Sequence, residues 1–214
     1  MKLVANIISV LFHPLFIPTI GVYLLFSTPT ESISFIKAES FYYFDEGYKL
    51  RLYSLLAVLT IAAPMLSMVV LKTGRVITSY QLENPDERKV PLFMMLVYLV
   101  IVIFQLFFMD PDNVIPLMVK YYILSIAAAI VIMLITINLI KLSWHTAALG
   151  SLLALMFVYL RSQINYNEWI IPSLCLLLGI VGTSRLILNQ HKESEVYLGA
   201  LLGFATTFIF TFFA

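Results

Sequence analysis

The chain holds one cysteine, Cys175, inside an apolar run, so neither a disulfide framework nor a thiolate metal cluster organises it. Charge is scarce too. Asp, Glu, Lys and Arg make up 12% of the residues, and 13 basic against 12 acidic side chains leave a net charge of +1. A balance this close to neutral lacks the basic face that nucleic acid requires, which excludes nucleic acid as an expected partner. No internal repeat or low-complexity linker marks a second domain. In place of charge the chain has apolar bulk: 61% hydrophobic residues and a mean hydropathy of +0.97. A soluble domain of this length does not carry so much. Most of the surface therefore meets a bilayer, and residues 1–214 are expected to form one membrane-embedded domain.

A bilayer core about 30 Å thick takes roughly 20 helical residues. Seven candidate spans emerge, approximately Leu3–Phe26, Leu52–Leu71, Leu92–Met109, Tyr121–Ile140, Thr146–Leu160, Trp169–Thr183 and Val196–Ala214, the fifth and sixth being short. The first has only Lys2 as a positive flank, is too long for a signal-peptide core and lacks a small-residue cleavage site, so it is expected to be retained. In lipid each backbone polar group must pair within its own segment, which selects helices even where Phe, Ile and Val favour strands in water. The expected fold is all-α, a polytopic helix bundle with about six or seven spans. Pro14, Pro18, Pro64 and Pro172 fall within these runs and should kink them or mark their ends. Tyr42, Tyr43, Tyr166 and Trp169 suit an interfacial aromatic belt.

Counting spans also sorts the polar connections. Lys72–Lys89, Lys141–His145 and Ser184–Glu195 follow the second, fourth and sixth spans, so all three emerge on one face. The connections at about Ser27–Arg51, Asp110–Pro116 and Arg161–Glu168 emerge on the other.

The first face carries the residues that suggest chemistry. Ser184-Arg185 is followed after five residues by His191, after three more by Glu195-Val196, and then by Gly199 and Gly203 in the last apolar run. On a helix starting near His191, Glu195 lies one turn on and on the same face, able to hold one imidazole nitrogen and leave the other for a phosphorus atom. By themselves His191, Lys192, Glu193 and Glu195 describe equally well the solvated start of a final span. Arg185 likewise reads either as a snorkelling anchor or as a planar fork for phosphate. A second polar group, Ser143-Trp144-His145-Thr146-Ala147, opens the fifth span. His13, before Pro14 in the first span, matches no motif and is read as structural or pore-lining.

The run Ser184-Arg185…His191…Glu195 resembles the third signature of the type-2 phosphatidic acid phosphatase superfamily, Ser-Arg-x5-His-x3-Asp, with Glu195 where the family has Asp. Ser143, His145, Thr146 and Ala147 are similar to its second signature, Pro-Ser-Gly-His-Thr-Ala, with Leu142 and Trp144 replacing the proline and glycine. The first signature, Lys-x6-Arg-Pro, is matched at Arg88 only. Gln81 takes the lysine register and the proline comes two residues late, at Pro91. Lys72, Arg75 or Lys89 are candidates for the missing charge, and a mostly apolar hairpin separates Arg88 from Ser143.

The resemblance implies a membrane phosphatase acting without metal or other cofactor. Arg88, Ser143 and Arg185 would bind phosphate, His191 would form a phosphohistidine, Glu195 would orient it, and His145 would protonate the leaving alcohol. The implied substrates are phosphorylated lipids: phosphatidic acid, phosphatidylglycerol phosphate or an isoprenoid pyrophosphate. A catalytically silent member that binds lipid phosphate or scaffolds a membrane partner is the competing reading, since Gln81, Trp144 and Glu195 depart from the pattern. A transporter fits less well, because the spans hold almost no ionisable group besides His13. The site face carries Lys2, Lys72, Arg75, Arg88, Lys89, Lys141, Arg185 and Lys192 against Lys37, Lys49, Arg51, Lys120 and Arg161 opposite, which on the positive-inside rule points to the cytoplasm. Setting aside Arg88, Lys89 and Arg185 as phosphate ligands evens the two sides, and family similarity favours an extracytoplasmic site. The sequence specifies no oligomeric state.

Overall fold

The structure, a computed structural model, describes residues 1–32, 40–80, 85–110 and 113–214. Helices run in the order α1 (Lys2–Leu11), α2 (Ile17–Ser27), α3 (Glu46–Leu56), α4 (Ala63–Thr73), α5 (Pro85–Phe108), α6 (Leu117–Thr136), α7 (Trp144–Arg161), α8 (Ile170–Ile187) and α9 (Glu193–Thr211). A π-helical turn, Ala57–Ala62, joins α3 to α4 in one rod of 28 residues. Two-residue strands β1 (Glu31–Ser32) and β2 (Gln163–Ile164) pair antiparallel. Among the described residues five helices are long and apolar enough to cross a membrane: Glu46–Thr73, Glu87–Phe108, α6, α8 and α9. The helical membrane fold is thus as expected, while two of the seven expected spans, the first (Leu3–Phe26) and the fifth (Thr146–Leu160, within α7), are not among these five.

At the N-terminus the expected single span, Leu3–Phe26, is two shorter helices. Pro14 has no N–H to continue the ladder, and the chain turns instead, with the Phe16 N–H donating to His13 O at 3.0 Å. Helix α2 restarts with Pro18 in its first turn, where a missing N–H has no intrahelical partner to lose. Pro64 acts similarly in the long rod, where the π-helical turn immediately precedes it.

Helix α7 is the centre of the bundle. Side chains on several of its faces are buried, including Leu152, Leu155, Met156 and Tyr159. Its closest neighbour is α9, and glycines explain the approach. A Cβ on Gly150 would run into the Ala200 carbonyl, and one on Gly203 into the Ala147 carbonyl. At Gly199 it would stand 2.6 Å from Ser143 O. Small residues four apart let two backbones meet where a side chain would hold them off.

The end of the bundle remote from Ser143 is tied by two buried polar groups. The Tyr159 hydroxyl meets Thr30 Oγ1 at 2.9 Å and accepts from the Phe41 N–H at 3.1 Å, fastening Thr30 and Phe41 onto the end of α7. Between α5 and α6, Lys120 Nζ lies 2.8 Å from Asp110 Oδ2, both side chains being under a tenth exposed. Burial alone would raise the Asp110 carboxyl. Its hydrogen bond with Lys120 and those from the Ile115 and Val114 amides outweigh burial and hold it below its ordinary 3.8.

Candidate functional site

The turn between α8 and α9 accounts for the spacing of its polar residues. Helix α8 closes with the Gln190 N–H donating to Arg185 O at 3.2 Å and the Asn189 N–H to Leu186 O at 2.9 Å. Asn189 has φ 52°, the left-handed position that such a C-terminal cap requires. The five residues between Arg185 and His191 are therefore the last helical turn and its cap. Helix α9 then begins at once. The Glu195 carboxylate accepts the Lys192 N–H at 3.1 Å, one half of a capping box.

The same carboxylate oxygen, Glu195 Oε2, lies 3.0 Å from His191 Nδ1, and Lys141 O lies 3.1 Å from that nitrogen. Carboxylate and carbonyl only accept, so Nδ1 carries the proton. In the neutral ring Nε2 is then left with a free lone pair. The ring is neutral near pH 7: burial foremost pushes His191 down to about 4, with Arg185 and Lys141 adding to the effect and Glu195 opposing it. One residue thus caps the helix and selects the tautomer.

Ser143 is the N-cap of α7 and is fully buried, its Oγ facing the Thr146 N–H at 3.5 Å. Its own N–H donates to Glu195 O at 3.1 Å, so the starts of α7 and α9 are stitched together by backbone. Thr146 Oγ1 adds a bond to Val196 O at 2.9 Å. His145 follows on the first turn of α7, within electrostatic reach of Arg185 and His191. Arg88, near the start of α5, is buried and within electrostatic reach of Glu195. The α5–α6 hairpin therefore leaves the site end and returns to it, as span parity requires. Gln81, in the lysine register, lies outside the described residues.

The sequence reading did not anticipate a contribution from α1. Ser9 is buried between two expected site residues. Arg185 Nη1 donates to Ser9 Oγ, and His145 Nε2 donates to Ser9 O at 3.0 Å with Ser9 Oγ at 3.4 Å. His13 stands edge-on to His145, ring centroids 5.4 Å apart. Among the described residues the buried Arg185 Nε–H meets no acceptor. Ser9 belongs to no motif. The one signal was His13-Pro14, a polar break in an otherwise apolar stretch.

Arg88, Ser143, His145, Arg185, His191 and Glu195 thus come from four helices and the α8–α9 turn to one end of the bundle. Together they offer fixed cations, a buried serine, a neutral imidazole with an available nitrogen and a second imidazole. The model of the PAP2 superfamily matches residues 139–214, a segment that contains five of these six and leaves out Arg88. No curated protein and no solved structure matches the chain. Residues 139–214 are thus similar to the PAP2 superfamily, and the apolar helices of the chain suit an integral membrane protein.

Proposed function

We propose that the protein hydrolyses a phosphate monoester or pyrophosphate from a lipid, without a metal, through a phosphohistidine. The observation that carries this reading is the state of His191. Its Nδ1–H is held by Glu195 and Lys141 O, and the neutral ring leaves Nε2 unprotonated as a nucleophile.

Arg88, Ser143 and Arg185 bind the phosphate oxygens, the unsatisfied Arg185 Nε–H being a donor in waiting. In the first step His191 Nε2 forms a bond to phosphorus while the bond from phosphorus to the leaving oxygen breaks. His145, protonated once the incoming dianion favours its charged form, gives that oxygen a proton. Glu195 stabilises the positive charge that builds on His191. In the second step water attacks phosphorus, His145 takes a proton from it, the P–N bond breaks, and phosphate departs with His191 restored. Glu195 in place of Asp is compatible with this role, because from four residues on it reaches Nδ1 at 3.0 Å.

Phosphatidic acid, phosphatidylglycerol phosphate and isoprenoid pyrophosphates all present the required group on an apolar body. The site is assigned to the extracytoplasmic face. The deciding experiment is phosphate release by purified protein in detergent across these three lipids, with chelator present and with His191→Ala and His145→Ala alongside. Release abolished by His191→Ala and resistant to chelator is expected. Binding of the lipids without release would assign the chain to a silent, phosphate-binding role.

A further inference from the structure

Helix α1 is loosely held. Only Ala5 and Ser9 are buried among its ten residues, and its main packing partner is α8. Between the two helices lies an open apolar cavity of about 660 Å³, within the roughly 300–1,000 Å³ usual for small-molecule sites. Ala5, Ile8, Leu176, Gly179, Ile180 and Ser184 line it. A Cβ on Gly179 would meet nothing within 4 Å, so this glycine is not needed for close helix packing and leaves the groove floor open.

One end of the groove runs into the polar cluster, since Ile8 precedes Ser9 and Ser184 precedes Arg185. At that junction Ser9 presents two acceptors: its hydroxyl oxygen to Arg185 and its carbonyl oxygen to His145 Nε2. A phosphate ester offers the same pair, a non-bridging oxygen for the guanidinium and a leaving oxygen for the imidazole. The neighbouring Arg185 Nε–H has no acceptor among the described residues. Ser9 thus holds the donors that a headgroup would take, on a helix that loses little burial by moving.

We propose that the α1–α8 groove binds the apolar chain of a phosphorylated amphiphile, whose phosphate displaces Ser9 from Arg185 and His145. This rests on the reading of the site as one for lipid phosphate. The groove is then a lateral entrance from the bilayer, and α1 is the element that yields on entry.

Photolabelling tests this without requiring turnover. The probes are a phosphatidic acid with a diazirine midway along one acyl chain and a diacylglycerol carrying the same chain, each added to the full-length protein in detergent. Adducts on α1 and α8, several-fold more abundant with the phosphatidic acid, are expected. Equal labelling by the neutral probe, or adducts confined to other helices, overturns the groove. Gly179→Leu, which has room to fold, is expected to cut this labelling at least fivefold, and unchanged labelling counts against the proposal. Ser9→Ala removes the hydroxyl that competes for Arg185 and is expected to lower the half-saturating probe concentration; a raised value overturns the displacement. Labelling without hydrolysis would sink the proposed reaction and keep the groove, whereas hydrolysis with headgroup-independent labelling would sink the groove alone.

Discussion

His191 donates from Nδ1 to Glu195 Oε2 across 3.0 Å, and the same oxygen accepts the Lys192 N–H that starts the last helix. Removing the carboxylate frees the ring to take the other tautomer. Glu195→Ala is therefore expected to lower kcat about 10²-fold or more with KM little changed, and Glu195→Asp to recover most of the loss. Steady-state kinetics on the two variants decide this. A purely structural role would reduce thermal stability while sparing kcat.

The pH response follows from the same ring. His191 titrates near 6.5 when unfolded and at about 4 in the fold, so between those values the unfolded chain binds more protons. Above 6.5 this linkage is silent, and stability contributed by the neutral buried ring is lost as pH falls from 6.5 towards 4. Thermal unfolding from pH 8 to 4 in detergent should show that decline, and His191→Gln should flatten it. An equal slope in the variant would assign the effect to other groups.

Glycines on the α7–α9 contact are expected to be intolerant. Gly203→Val drives its side chain into the Ala147 backbone, which cannot swing aside as a long side chain would. A loss of about 3 kcal/mol or more, or failure to fold, is expected. Gly179→Leu, in open space, serves as the control. Comparable unfolding temperatures for the two would contradict the packing account.

Lys120→Met strands the buried Asp110 carboxylate at the far end of the bundle. Breaking such a pair costs about 3–5 kcal/mol, and Lys120→Met with Asp110→Asn should regain much of it. A double-mutant cycle read by denaturation tests the coupling. Because Asp110 is held below its ordinary 3.8, its contribution is present above that value and is lost as pH falls through and beneath it.

Orientation is open to a labelling measurement. With Cys175 replaced by serine, single cysteines at Ser79, towards the site end, and at Asn113, in the Asp110–Lys120 turn, are exposed to a membrane-impermeant maleimide on intact cells. Preferential labelling at Ser79 is expected for an extracytoplasmic site. Preferential labelling at Asn113 would place the site in the cytoplasm.

Much of the site was legible because its geometry is local. The Ser-Arg-x5-His-x3-Glu spacing encodes one helical turn, a left-handed cap at Asn189 and an i,i+4 pair, all of which short-range backbone physics dictates. The meeting of Arg88, Ser143 and Glu195 was legible through span parity. The broken first span was less so, because hydropathy weighs His13 and Pro14 against many apolar neighbours and registers one continuous run. Ser9 was illegible. Its partners His145 and Arg185 lie 136 and 176 positions away, and an isolated serine on an apolar helix has no pattern to mark it.

Sequence alone determined the apolar surroundings, the helical segments and the one end of the bundle that the polar turns share, because each follows from composition or from the order of apolar segments. Tertiary structure alone decided that the N-terminal helix reaches the polar cluster of His145 and Arg185, and that glycines of α7 and α9 bring Ser143 against Glu195. Those relations depend on how rods of similar apolar character pack in three dimensions, and one-dimensional hydropathy does not distinguish one neighbour from another.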